Sequence, residues 1–199
     1  MWRAGAAQVD GKGALRVVAA MRAQDFRLRP ADTGDSRLLF EWTNDPAVRK
    51  SSFYSSSITW QEHCRWFAQK LHAPDEMILI CEADVGSPVG TVRFHETSPG
   101  EFQIGVTISP NWRGKHIASH LLKRAVRHLF ENRVAHRVHA FIREENTASS
   151  RSFENAGFHF LSCRIIDGVE AFHYCLENKI VSQDFSIPAN SCTEAAACT

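Results

Sequence analysis

The chain has 199 residues, 44% of them hydrophobic and 23% charged, which fits one domain with a sizeable core. Its 23 Lys and Arg against 22 Asp and Glu leave a net charge of +1, so overall charge points to no general polyanion binder. No apolar run approaches the ~18 residues of a membrane span, and Val17-Val18-Ala19-Ala20-Met21 is too short and poorly flanked for a signal peptide.

Residues 1–24 read as an appendage, glycine-rich around Val9 to Ala14. Regular alternation begins at Phe26-Arg27-Leu28-Arg29-Pro30, a first strand closed by proline. Asp35 is placed to cap a helix carrying Leu38, Leu39 and Trp42, which stops near Asn44-Asp45-Pro46. Lys50 to Ser57 reads as a loop. Thr59-Trp60-Gln61-Glu62 then has capping-box spacing and opens a helix with Cys64, Trp66, Phe67 and Leu71.

Met77–Glu82, Val89–His95 and Phe102–Ser109, joined by short turns, predict an antiparallel meander. Ile117, Leu121, Leu122, Ala125, Val126, Leu129 and Phe130 give a long helix, opened by Arg113, a broad apolar face. His136–Ile142 reads as a strand, and Asn146 caps a helix ended by Gly157. Phe158–Ile165 and Val169–Leu176, turning at Asp167-Gly168, make a closing hairpin. Residues 178–199 are polar and small and read as a disordered tail. This order predicts an α+β domain, one mixed, mostly antiparallel twisted sheet flanked by about four helices. Its exposed edge strands leave room for a homodimer.

The six cysteines, Cys64, Cys81, Cys163, Cys175, Cys192 and Cys198, show no C-x-x-C pair and no metal-binding spacing. Four fall in predicted helices or strands, where buried free thiols are usual. The expectation is a reducing, cytoplasmic compartment and no metal.

Chemistry concentrates at Arg113-Gly114-Lys115-His116-Ile117-Ala118. The first N–H groups of a helix lack internal partners and sit at its positive end. A diphosphate fills such a place if backbone can approach closely, which glycine permits. The spacing is neither a Walker loop nor G-x-G-x-x-G. Two other readings stay open: an ordinary basic helix start, and nucleic-acid binding, since residues 111–137 hold seven Lys and Arg against Glu131 alone. Against the latter, much of that charge lies opposite the apolar stripe.

The strand Gln103 to Pro110, the R-x-x-G/x-x-G/A turn from Arg113 to Ala118, and Asn146-Thr147-Ala148-Ser149 followed by Gly157-Phe158 occur in one order. Together they resemble the GNAT superfamily of acetyl-CoA-dependent N-acetyltransferases, over roughly residues 25–177. The resemblance implies the GNAT fold and acetyl-CoA as co-substrate. The main chain of Val106, Thr107 and Ile108 would pair with the pantetheine amides. Arg113 and Lys115 would add charge at the diphosphate, and the N–H groups of Gly114, Lys115, His116, Ile117, Ala118 and Ser119 would hold it. Asn146 would meet the pantetheine arm and Phe153 the thiol end. His116 stands where glycine is preferred, which is compatible with binding if its φ is negative. Phe153 stands where many members have a proton-donating tyrosine, and Phe141 where some peptide-acetylating members have a glutamate base; phenyl rings transfer no protons. In a branch resembling the ribosomal-protein serine acetyltransferases, the serine three residues past the asparagine supports the thiolate. Here that is Ser149, whose plainer reading is an ordinary helix-start serine.

A narrower resemblance runs from Leu38 to Phe67. Trp42, Asn44-Asp45-Pro46, Val48-Arg49, Ser52-Phe53, Ile58, His63 and Trp66-Phe67, with Pro88 to Phe94, resemble acetyltransferases of pseudaminic acid biosynthesis. Val9 to Val17 resembles the end of the nucleotide-sugar hydrolase acting one step earlier. The implied acceptor is the 4-amino group of UDP-4-amino-4,6-dideoxy-N-acetyl-β-L-altrosamine, an amino-sugar nucleotide. Arg49 and Phe53 are the candidate acceptor contacts, with Trp42 and His63 from the same region; Trp42 also has core spacing. For a proton acceptor, His95 at the end of the third strand and His173 on the last strand are candidates, with Glu96 behind them. The rivals are a peptide or ribosomal-protein acetyltransferase and a non-catalytic acetyl-CoA-binding module.

Overall fold

The computed structural model describes residues 26–83 and 86–179. The appendage and the stretch Val9 to Val17 lie outside them. So does the predicted tail, save for its first two residues.

Seven strands form one sheet: β1 (Arg27–Pro30), β2 (Glu76–Glu82), β3 (Pro88–Ser98), β4 (Glu101–Ile108), β5 (Arg137–Arg143), β6 (His159–Ile166) and β7 (Val169–Glu177). Their order is β1-β2-β3-β4-β5-β7-β6. All pairs are antiparallel except β4–β5. The helices are α1 (Ser36–Thr43), α2 (Pro46–Ser51), α3 (Trp60–Leu71), α4 (Ala118–Asn132) and α5 (Thr147–Ala156). This is the expected α+β sheet, with five α-helices among the described residues where about four were expected.

The additional helix is α2. Asn44-Asp45-Pro46 does end α1, but Asp45 also accepts from the N–H groups of Ala47 and Val48, at 3.0 and 3.3 Å. Proline at a first helical position costs no hydrogen bond, so the stop signal restarts a helix through Ser51. Asp35 departs from expectation too. It precedes α1 without capping it, because both its oxygens accept from Arg29 at 2.7 Å and one takes the Asp32 N–H at 2.8 Å. Burial pushes its carboxyl up, but these donors outweigh burial and hold it below the ordinary range. The Thr59–Glu62 box forms as the spacing implies: Thr59 Oγ1 accepts from the Glu62 N–H and Glu62 accepts from the Thr59 N–H.

Strand alternation divides the interior into two layers. Leu79 and Cys81 of β2 join the main core, with α4 residues Leu121, Leu122 and Leu129 and β5 residues Val138, Ala140 and Ile142. Ile78 and Ile80 point the other way, against Leu39 and Trp42 of α1 and Phe67 of α3. Burying each such side chain contributes about 1.5–3 kcal/mol. Among the described cysteines, Cys81 and Cys175 are buried, Cys64 is half-buried and all four are free. Burial pushes the Cys81 thiol up to about 12, an inert state. Cys163 departs from the buried-thiol expectation, being exposed on β6. Asn178, placed in the tail by composition, is buried. Its Nδ2 donates to Ala135 O at 3.0 Å and its N–H to His136 O at 2.8 Å. Asn178 is thus packed into the described fold.

One feature of the sheet positions the site. β4 pairs with β3 as far as Ile108, but with β5 only where Glu101–Gln103 meets Arg137–His139. Beyond Gln103 the two strands part, and the free edge of β4 faces an opening.

Candidate active site at the parted strands

A cavity of about 1360 Å³ occupies this opening. That exceeds the ~300–1,000 Å³ of an ordinary small-molecule pocket and leaves room for two substrates. Val106, Thr107 and Ile108 line it from β4, and Phe141 borders it from β5.

At one end lies the basic turn. After Ile108 the chain makes a 3-10 turn over Pro110–Trp112, and α4 begins only at Ala118, five residues later than expected. The delay has a backbone cause: Gly114 and His116 adopt φ of +71° and +58°, which no helix continues. The family's preference for glycine at the second position is thus explained, and the negative φ on which the compatibility of His116 with binding was conditioned is not met. Histidine is among the residues enriched in this region, so the strain stays within the ~1–3 kcal/mol of such conformations. Both residues are exposed and both line the cavity.

The first turn of α4 has no side-chain cap and no acidic residue, with Ile117 where Ser, Thr, Asp or Asn is usual. Its N–H groups are therefore available to a ligand. Gly114, His116, Ile117, Ala118 and Ser119 all line the cavity. Lys115 does not; its ammonium lies over the Trp112 ring at 4.7 Å. Arg113 lines the cavity but is tied down. Its NH1 donates to Asp45 Oδ1 at 2.8 Å and its Nε to Ile108 O at 3.1 Å. Burial pushes the Asp45 carboxyl up, and the Arg113 bond, with the α2 N–H groups, pulls it below the ordinary range. Arg113 is thus a brace between the turn and α2, while main-chain N–H groups present the positive end.

Across the opening, Asn146 caps α5, its Oδ1 accepting from the Ser149 N–H at 3.1 Å. Ser149 and Asn146 line the cavity, as does Phe153, which packs edge-on against Phe158 at 5.0 Å. An uncapped helix start, an open turn and an unpaired strand edge on one cavity suit the diphosphate and amide groups of coenzyme A.

The other end of the cavity is walled by α2 and the loop after it. Arg49 and Phe53 both line it. The Arg49 guanidinium also organises the loop, donating to Tyr54 O and Ser56 O at 3.2 Å and to Ser52 Oγ at 3.1 Å. Asn44 holds Ile58 by two bonds, and Arg143 donates to Lys50 O and Ser52 O. Asp167, at the β6–β7 turn, hydrogen-bonds the Tyr54 hydroxyl and raises its pKa. Sequence reasoning missed Arg93 and Arg151, both cavity-lining. Arg93 stands over the Trp66 ring at 5.2 Å. The signal for Arg93 was its place on the exposed face of β3, two residues before His95.

Four expected residues lie elsewhere. Trp42 is core, 7% exposed. His63 is buried too, stacked between Trp60 and Phe67; burial lowers its pKa. Neither lines the cavity. His95 shares a strand face with Arg93 but sits about 7 Å further along the strand, outside the cavity. Its Nδ1 lies 3.0 Å from the buried Glu76 carboxylate. Asp75, Glu76 and His95 bring ligand-type atoms within 4.8 Å of one another, but the Lys70 ammonium, 2.7 Å from Glu76, already balances the buried charge. His173 is buried behind Phe141, ring stacked on ring at 4.6 Å.

No helix among the described residues is long and apolar enough to cross a membrane. Residues 25–159 match the acetyltransferase (GNAT) domain family. An uncharacterized protein of Methanocaldococcus jannaschii, MJ1062, is 27% identical over 160 residues, or 74% of this chain, and the match spans only 33% of that protein's length. Spermidine N(1)-acetyltransferase of Escherichia coli K12 is 25% identical over 140 residues, covering 68% of this chain and 74% of that one. The crystal structure of Vibrio cholerae spermidine N-acetyltransferase with CoA and spermine superposes with a TM-score of 0.71 at 19% identity, covering 77% of this chain and 96% of that one. Aminoglycoside acetyltransferase AAC(6')-Ib with coenzyme A and kanamycin gives 0.67 at 18% identity, covering 79% and 98%. These solved structures share the fold. With a family match over more than half its length and strands that part beside an uncapped helix start, the chain belongs to the GNAT acetyltransferase family.

Proposed function

We propose that this chain transfers acetyl from acetyl-CoA to a primary amine of a small anionic acceptor, the 4-amino group of a UDP-linked amino sugar. In this reading the N–H groups of Gly114 and of His116 to Ser119 hold the diphosphate, and the β4 edge at Val106, Thr107 and Ile108 pairs with the pantetheine amides. Asn146 and Phe153 flank the arm, and Ser149 supports the departing thiolate. The amine attacks the thioester carbonyl directly. An amine with a pKa near ~8 is partly neutral at cellular pH, so alignment of the two substrates supplies much of the rate.

One observation carries the choice of acceptor. Arg49, Arg93 and Arg151 border the cavity with no carboxylate partner among the described residues, against one cavity carboxylate, Asp167, already engaged by Tyr54. Spermine and kanamycin, named in the neighbours' structures, are polycations. A cavity with unpaired guanidinium groups repels them and attracts phosphate. The resemblance of Leu38–Phe67 to pseudaminic acid acetyltransferases supports the same acceptor, as does that of Val9–Val17 to the preceding hydrolase.

Offering the full chain labelled acetyl-CoA with the amino-sugar nucleotide, spermidine, kanamycin and an N-terminal peptide in parallel tests this. Transfer to the nucleotide sugar is expected to exceed the others by at least about 10²-fold in kcat/KM, the order of one lost charge-assisted contact of ~3 kcal/mol. Preferred transfer to spermidine, or to the peptide, overturns the acceptor assignment.

A further inference from the structure

Just behind the cavity wall, where β4 and β5 still pair, lie three titratable side chains, two half-buried and one buried. Glu101 of β4, His139 of β5 and His173 of β7 form a line on one face of the sheet. His139 Nε2 lies 2.6 Å from Glu101 Oε2, and His139 Nδ1 lies 2.9 Å from His173 Nε2. The chemistry of the line sets its tautomers. An ionised carboxylate only accepts, so a neutral His139 donates from Nε2 and accepts at Nδ1. His173 therefore donates from Nε2, which leaves a lone pair on its Nδ1. That atom is buried and has no hydrogen-bond partner among the described residues, an unfavourable arrangement for a polar atom. The His173 ring is a single ring's thickness from the cavity, stacked on Phe141, which borders it.

We propose that His173 Nδ1 is the proton acceptor for the attacking amine, reached through a water beside Phe141, with His139 and Glu101 as positioning residues. The assignment rests on the N-acetyltransferase reading but not on the identity of the acceptor. The amine nitrogen bonds to the acetyl carbon, the carbon–sulfur bond breaks, and the electron pair leaves on the CoA sulfur. The nitrogen's proton passes to His173 Nδ1. The Glu101 carboxylate offsets the resulting positive charge through His139. His173 then returns the proton from the same atom to the sulfur, which restores the resting tautomers. Burial, then His139 and Arg164, hold the His173 imidazole below the ordinary histidine range, so it is neutral and ready to accept near pH 7. The other groups facing the pair are Arg137 of β5, paired with Glu101 and Glu177, and Cys175 of β7, opposite His139.

Two measurements on the full chain test this. Nitrogen-15 spectra of labelled histidine should show protonated Nε2 and bare Nδ1 on both His139 and His173, without any acceptor present. The pH–rate profile, taken with whichever amine is acetylated, should fall on the acid side as His173 gains a proton. His173→Gln should lower kcat on the order of 10²-fold, leave the acetyl-CoA KM unchanged and abolish that limb. Should that variant not fold, His139→Gln at the half-buried middle position should lower kcat, leave the acetyl-CoA KM unchanged and shift the limb without abolishing it, since His173 still titrates. Glu101→Gln should move the limb to lower pH, because removing the negative charge weakens the base. A protonated Nδ1 on His173, or variants with wild-type kcat and an unchanged limb, overturns the proposal. Transfer to spermidine alone, with the limb intact, overturns the acceptor assignment and leaves this one standing.

Discussion

Ser119→Glu is expected to weaken acetyl-CoA binding on the order of 10²–10³-fold while the melting temperature stays level or rises. Ser119 lies in the first turn of α4, on the cavity, and no acid accompanies it there. A carboxylate near a helix N-terminus stabilises the helix by about 0.3–1 kcal/mol, so the fold tolerates the change. The same carboxylate ~4 Å from a phosphate repels it by about 4 kcal/mol at an effective dielectric near 20. Opposite signs for stability and affinity make the result specific. Loss of both together would indicate damage to the helix, and unchanged affinity would place the diphosphate elsewhere. Isothermal calorimetry and thermal melts on the same sample read both quantities.

Arg93→Glu carries the second large effect. The Arg93 side chain is exposed, rests on Trp66 and has no carboxylate partner among the described residues, so its reversal breaks no ion pair of the fold. For an anionic acceptor the change removes an attraction and adds a repulsion, together about 3 kcal/mol, or on the order of 10² in kcat/KM. Affinity for acetyl-CoA should not move, because the turn at Gly114 is separate. Spermidine should become a better acceptor in the same variant. Equal losses with the anionic and cationic acceptors would contradict the charge-based account of specificity.

Local chemistry made much of this fold readable. The Thr59–Glu62 box, Asn146 before α5, Gly157 after it and Asp167-Gly168 in the last hairpin each satisfy backbone groups within a few residues. Their outcome needs no distant partner. Signals with two meanings were not resolved by inspection. Asp45-Pro46 ends α1 and begins α2, and only the Arg113–Asp45 bond across 68 positions shows how that junction is used. Asp35 has capping chemistry but is claimed by Arg29, which a local reading does not see.

The site divides the same way. The place of the Gly114 turn beside the cavity was legible because a glycine turn before a helix start is set by local backbone geometry. Side-chain contributors were less so, because they depend on where the sheet ends and the cavity begins. His95 lies on the correct face of β3 but one side-chain pair too far along; Arg93 takes the cavity position. His173 lies on the correct face of its strand, but Phe141 stands in front of it. Trp42 and His63 carry chemistry suited to a sugar ring, yet α1 turns Trp42 onto the sheet and His63 packs among Phe40, Trp60 and Phe67 between α1 and α3.

In the proposed reading, main-chain N–H groups of the Gly114 turn and the α4 start hold the diphosphate of coenzyme A. Calorimetric titration of the wild-type chain with coenzyme A and, separately, with pantetheine, which lacks the diphosphate, tests it most directly. Coenzyme A is expected to bind saturably and pantetheine at least about 10²-fold more weakly, the equivalent of ~2.7 kcal/mol. Equal affinities, or no heat with coenzyme A on folded protein, would contradict it.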